Sequence, residues 1–325
     1  MSARPPSATP SENGTFTQAS RATGLFPTVE ALAAEIEAFW QQHAMSVEQQ
    51  GAQYVLRMEG HRDIPWHQPE RAKAWRRKPN RVFYEETQTA LFTFLLSRFE
   101  ISKFLDIGAG IGYFCEVAAS FKAAPPDSFA FDMLPARREH LQKLETSQRY
   151  QGAIQVFFAG LSDQHFGDKP IWYSVTKMYE EEPPADYYRD SFWRRLKFRL
   201  RGRTDRDKLV EHICQITSID HFCQERDLKP DLLKIDVDGY EAKVIPGGLE
   251  TFRSHRPLIA LEIHNSRFLR PFHVNRREVV APLFDLGYRC LLITDHLDRR
   301  AARCIPIDQN DPVIMRDETD LLLFV

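Results

Sequence analysis

The stretch FLDIGAGIGYF, residues 104–114, decides the fold. Its opening apolar pair, Phe104-Leu105, runs into an acid, Asp106, and Gly108, Gly110 and Gly112 follow at every second position. An apolar, helix-compatible stretch, YFCEVAASF, comes next. A strand, a tight glycine turn and a helix start, in that order, put backbone N–H groups where the polar tail of a cofactor can meet them. A dinucleotide fingerprint, GxGxxG, would need its third glycine at Tyr113. Asp106 would repel a pyrophosphate and suits a ligand with a cationic amino-acid end. Three glycines in five residues also serve a purely structural turn.

Composition narrows the class. A chain of 325 residues holds one large domain, or one domain with an appendage. At 43% hydrophobic and 27% charged residues it reads as soluble and globular. A formal net charge of −2 gives no global pull towards nucleic acid or anionic lipid. No apolar run approaches the ~20 residues of a membrane span, and MSARPPSATPSENGTF lacks the apolar centre of a secretory signal. The five cysteines are odd in number and never spaced CxxC, so they read as reduced thiols, and a cytoplasmic location is expected.

Three segments follow from patterning. Residues 1–26, rich in Ser, Thr, Pro and Ala, are expected to be a disordered tail. Residues 27–82 read as an N-terminal helical extension. TVEALAAEIEAFWQQHA sets Val29, Leu32, Ile36, Phe39 and Trp40 on one helical face, with Thr28 as N-cap. Further helix is expected to residue 58. Residues 83–325 form the main domain, where strand and helix patterns alternate as a doubly wound α/β sheet requires. FAFD is read as the second strand, AIQVFFAGLSD as the third, LLKID as the fourth and LIALEIHN as the fifth. An insertion spans about 169–208 and opens with a hairpin-like KPIWYSVTKMY.

The chemistry-bearing residues fall at strand ends. Asp132 closes strand two, where a carboxylate can accept both hydroxyl protons of a ribose or cap the helix PARREHL. Asp163, after strand three, lies where an acid can meet an adenine amino group or form a turn. Asp236 and Asp238 sit two apart in KIDVDGYE and share Lys234's alternating set, opposite Leu233 and Ile235. A central strand of a parallel sheet is normally apolar on both faces, so charges there point to function. Glu262 and His264 share a face at the end of strand five, with His264 reading either as a working or as a supporting ring.

FLDIGAGIGYF, SIDHF, PDLLKIDVDGYEAKVIPGG, RPLIALEIH and the final TDLLLF, in that order, resemble the FkbM-type S-adenosylmethionine-dependent methyltransferases over roughly residues 83–325. Asp238 departs from the glutamate that family more often carries. The resemblance implies a class I methyltransferase (Rossmann-like) sheet of about seven strands with its last strand antiparallel, and O-methylation of hydroxyls on sugars, glycans or secondary metabolites. It implies that Tyr84 and Glu85 lie near the cofactor, that Asp106 leads into the cofactor loop Gly108, Gly110 and Gly112, that Asp132 is the ribose acid, and that Asp236 stands beside the methyl-transfer centre.

A hydroxyl needs a base, and Asp236 or His264 can take its proton while Glu262 orients His264. A metal-assisted variant stays open, with Asp236, Asp238 and Glu262 as oxygen ligands to a magnesium-type ion. So does a non-catalytic cofactor-binding scaffold that assembles, as a homo-oligomer or otherwise, through the N-terminal helices. RAKAWRRKPNR (71–81) carries six basic residues and WRRLKFRLRGRTDRDK (193–208) eight. Either run reads as a solvated face or as a cradle for an anionic acceptor, with Arg194, Arg195, Arg199 and Arg201 as substrate contacts.

Overall fold

The computed structural model of the protein describes residues 28–51, 53–66, 85–173, 178–179, 210–295 and 299–325. The predicted tail 1–26, Tyr84, the basic run 71–81 and Arg194, Arg195, Arg199 and Arg201 lie outside them.

Helix α1 (Val29–Gln42) starts where its sequence says, with the Thr28 hydroxyl oxygen accepting from the Ala31 N–H at 3.1 Å. The expected helix to residue 58 does not form. Strands β1 (Met45–Gln50), β2 (Gln53–Met58) and β3 (Ile64–Trp66) make a small antiparallel sheet instead. Gly51 turns the first hairpin with φ +61, a conformation glycine adopts freely. Helix α2 (Glu86–Arg98) then leads into β4 (Lys103–Ile107), the glycine turn and α3 (Tyr113–Ala119).

Next come β5 (Asp127–Phe131), α4 (Pro135–Glu145), β6 (Ile154–Phe157) and β7 (Ala159–Leu161). The stretch read as one third strand is thus two, and they belong to different sheets. β8 (Gly167–Tyr173) and β9 (Met178–Tyr179) pair antiparallel, as the hairpin pattern predicts. β10 (Val210–Thr217) joins β7 and β8 in this side sheet. After α5 (Ile219–Glu225) the chain lays down β11 (Leu232–Ile235), α6 (Glu241–Val244), α7 (Leu249–His255), β12 (Leu258–Ile263), α8 (Ser266–Leu269), α9 (Arg276–Asp285), β13 (Cys290–Ile293), β14 (Cys304–Ile307) and β15 (Asp320–Phe324).

The main sheet runs β14-β13-β15-β12-β11-β4-β5-β6. Its five strands from β6 to β12 are parallel, and β15 enters antiparallel between β12 and β13. That is the class I methyltransferase order, with β14 as an eighth, edge strand beyond the expected seven. Alternation sorts the side chains. Phe104, Leu232 and Leu258 pack under α1, α2 and α3, while Leu105, Leu233, Ile235 and Ile259 pack under α5, α7 and α9.

β11 and β4 are neighbours, so the crevice opens where the strand order reverses, at the carboxyl ends of both. The N-terminal module stands elsewhere. The apolar face of α1, Leu32, Ile36 and Trp40, is buried within this chain. Arg62 donates to the Ala119 carbonyl at the far end of α3, away from the glycine turn. No helix among the described residues is long and apolar enough to cross a membrane.

Candidate active site

The glycine turn is shaped by three left-handed residues: Gly108 at φ +81, Gly110 at +61 and Gly112 at +76. A Cβ at 108 would stand 1.8 Å from the Asp236 carbonyl oxygen, and one at 112 would stand 2.3 Å from Leu144. At Gly110 no atom lies within 4 Å of that position. The main chain at Gly110 therefore borders open space, and its N–H reaches the Asp132 carboxylate at 2.9 Å. The other Asp132 oxygen accepts from the Leu134 N–H at 2.8 Å. Asp132 thus ties the glycine turn to the start of α4. Burial pushes its carboxyl above the usual range, and these two N–H groups pull back.

Asp106 is wholly buried. It takes a long contact from the Cys115 thiol, 3.5 Å, and its second oxygen lies 3.8 Å from Lys234 Nζ. Burial pushes it up to about 6 despite that ammonium. Lys234, its register partner on β11, is just as buried, and its ammonium lies 3.1 Å from Asp236. Burial disfavours the charge on Lys234, but Asp236, Asp106, Glu85 and Glu262 hold it far above the ordinary lysine range.

Asp236 is the partly open member of this network, and its own N–H still follows the β11–β4 ladder to Ile107 O. Asp238 does not share its direction through strand alternation, because β11 ends at Ile235. Asp238 adopts φ +51 and meets the same histidine from a turn. His264 Nε2 lies 3.3 Å from Asp238, 3.9 Å from Asp236 and 4.0 Å from Glu262. Its Nδ1 lies 2.7 Å from Glu241 Oε1. The residue that orients His264 is therefore Glu241, not the expected Glu262.

Burial works against a charged ring, yet the contacts with Asp238, Glu241 and Asp236 raise His264 to about 11. These contacts favour the charged ring, which in that form has no lone pair to accept a proton. Burial, with Asp236 and Glu85 nearby, raises Glu262 to about 8. Glu85 itself is buried at φ +46, at the entry to α2.

A magnesium ion fits this set poorly. The donors that converge are Asp236, Glu262 and His264, not the expected three carboxylates, and one of them is an imidazole. Lys234 already neutralises Asp236, and Glu241 and Asp238 already hold both ring nitrogens. Asp163 has Lys243 at 2.8 Å. Burial opposes its charge, but Lys243 and the Ser162 hydroxyl hold it below the usual range.

Glu241 is the residue that the sequence reading missed. It sits in YEAKVI and looks like an ordinary first-turn acid of a helix. Its signal was tertiary, since a fully buried glutamate needs a partner that only the fold brings near.

One solved structure of similar fold is the methyltransferase FkbM from Methylobacillus flagellatus KT, 16% identical, with TM-score 0.40, covering 69% of this chain and 44% of that one. This chain therefore spans under half the length of that protein. Another is an S-adenosylmethionine-dependent O-methyltransferase from Thermotoga maritima, 12% identical, TM-score 0.34, covering 83% of this chain and 76% of that one. A third is Aeropyrum pernix fibrillarin in complex with natively bound S-adenosyl-L-methionine, 11% identical, TM-score 0.32, covering 87% and 99%. No curated protein matches this sequence. The family model described as the methyltransferase FkbM domain matches residues 106–290, more than half of the 325-residue chain. On that match over more than half its length, the chain belongs to the FkbM family of S-adenosylmethionine-dependent methyltransferases.

Proposed function

We propose that the protein methylates a hydroxyl of a sugar, glycan or secondary metabolite. The observation that carries this is the contact between the glycine turn and the acid of the next strand. Asp236 packs its carbonyl on Gly108 and keeps its carboxylate partly open. Cofactor loop and candidate base are thereby one rigid unit.

The residues fit S-adenosylmethionine on the evidence of the open position at Gly110 and the acid beside it. Gly108, Gly110, Gly112 and Asp132 would hold its polar parts, and a cation suits a neighbourhood of Asp132 and Asp236 better than a pyrophosphate does. When bound, this cofactor supplies an electrophilic methyl group on a positively charged sulfur.

The chain's own work is with the acceptor. Asp236 accepts the hydroxyl proton, and Lys234, 3.1 Å away on its other oxygen, fixes the rotamer in which it does so. His264, as an imidazolium, keeps the three carboxylates around it from repelling one another. Glu262, carrying its proton, donates a hydrogen bond to an acceptor oxygen.

The rival scaffold reading leaves Lys234, Asp236 and Glu262 without a purpose, since buried charges on β11 and β12 cost stability that leucine would not. The proposal is tested by incubating the protein with S-adenosylmethionine and a panel of sugars and polyhydroxylated metabolites, and measuring S-adenosylhomocysteine release. Release that depends on the acceptor is expected. Cofactor binding without release on any hydroxyl acceptor favours the scaffold.

A further inference from the structure

Glu241 is fully buried, and its hydrogen bonds are unevenly spread. Oε1 accepts from His264 Nδ1 at 2.7 Å and, at 3.5 Å, from the Val237 N–H. Oε2 is buried with no hydrogen-bond partner among the described residues. A carboxylate buried only to stabilise the fold would satisfy both oxygens, because each one left unpaired costs desolvation. The geometry here spends a buried charge on one ring nitrogen.

The ring is also boxed from its other sides. The Phe268 ring lies 5.0 Å from it, tilted. Gly239, at φ +102, lets the turn press against Phe268, where a Cβ would come within 2.6 Å of the Phe268 carbonyl oxygen. With Nδ1 held from α6 and the face held from α8, Nε2 has one direction left. It faces Asp238 and Asp236 from the turn after β11, and Glu262 from β12.

We propose that Glu241 is the positioning residue of this centre, acting through His264 to set where the Asp236 carboxylate stands. The inference rests on the reading of Asp236 as the proton acceptor. Glu241 touches neither acceptor nor cofactor. It fixes which ring nitrogen points into the crevice and holds the ring doubly protonated, so that Nε2–H donates to Asp238 at 3.3 Å and the ring's charge holds Asp236, 3.9 Å away, by attraction alone. A neutral ring would release that hold and leave Asp236 to Lys234 alone.

Glu241→Gln tests this, since glutamine keeps the shape and a carbonyl acceptor but not the charge. Turnover is expected to fall about 10²-fold, the scale of a misplaced catalytic group, with S-adenosylmethionine affinity unchanged. Nitrogen NMR of the His264 ring at pH 9 should show both nitrogens protonated in the wild type and a neutral ring in Glu241→Gln. A merely structural glutamate would lower thermal stability without moving the ring signals. Unchanged ring spectra in the variant overturn the inference. So does a neutral His264 in the wild type, which decides the matter even if the variant fails to fold. The NMR arm needs no acceptor. A wild type that transfers no methyl group therefore overturns the proposed function, and is told apart from a failure of this inference.

Discussion

Gly108 packs against the main-chain carbonyl of Asp236 so closely that the two strand ends cannot be separated by mutation. A Cβ at 108 would stand 1.8 Å from that oxygen, and the residue is left-handed at φ +81. Gly108→Ala therefore carries both backbone strain and a clash, together about 2–5 kcal/mol. Gly110→Ala carries only the strain, about 1 kcal/mol, because space is open there. Denaturant melts of the two variants should rank them in that order. Cofactor affinity should be lost in both, since each alters the loop.

Asp132 joins Gly110 to Leu134 through its two oxygens. Asp132→Ala removes both hydrogen bonds and the carboxylate that we place at the ribose. Calorimetry should show S-adenosylmethionine binding weakened about ten- to a hundredfold, from charge-assisted contacts of about 1.5–3 kcal/mol. Unchanged affinity would take Asp132 out of the site and leave it as a loop tie.

The parts of this molecule that were legible in the sequence are those set by local periodicity. Leu233 and Ile235 face one way and Lys234 the other, as period two demands, and the glycines turn as their spacing implies. Thr28 caps its helix because hydroxyl and N–H are three residues apart. What failed depended on partners distant in sequence. MSVEQQGAQYVLRM carries few strand-specific signals, and its sheet exists because β2 finds β3 and the module finds α3. The third strand splits because β7 pairs with β10, over fifty residues later. Glu241 and the left-handed turn at Asp238 were invisible for the same reason: both meet His264, which follows β12 and is distant in sequence.

Glu262 stands at about 8 against an ordinary 4.5. A carboxyl raised on folding contributes stability that is complete below its unfolded value and is lost as pH rises through the folded one. The wild type should therefore lose stability through this group between about pH 4.5 and pH 8. Glu262→Gln, which mimics the protonated acid, escapes that loss. Its melting temperature should match the wild type at pH 5 and exceed it at pH 9. A variant less stable than the wild type at pH 9 would show Glu262 to be a needed anion.

The central claim is that Asp236 takes a hydroxyl proton while the neighbouring turn holds S-adenosylmethionine. Asp236→Asn is nearly isosteric and removes the charge and the basicity. The most direct measurement is transfer of a carbon-13-labelled methyl group from S-adenosylmethionine to a hydroxylic acceptor, followed by NMR in the wild type and in Asp236→Asn. The account predicts an O-methyl product from the wild type, and a rate lower by about 10²–10⁴ in the variant at unchanged cofactor affinity. A methyl group found on nitrogen or carbon, or a folded Asp236→Asn protein working at the wild-type rate, would contradict it.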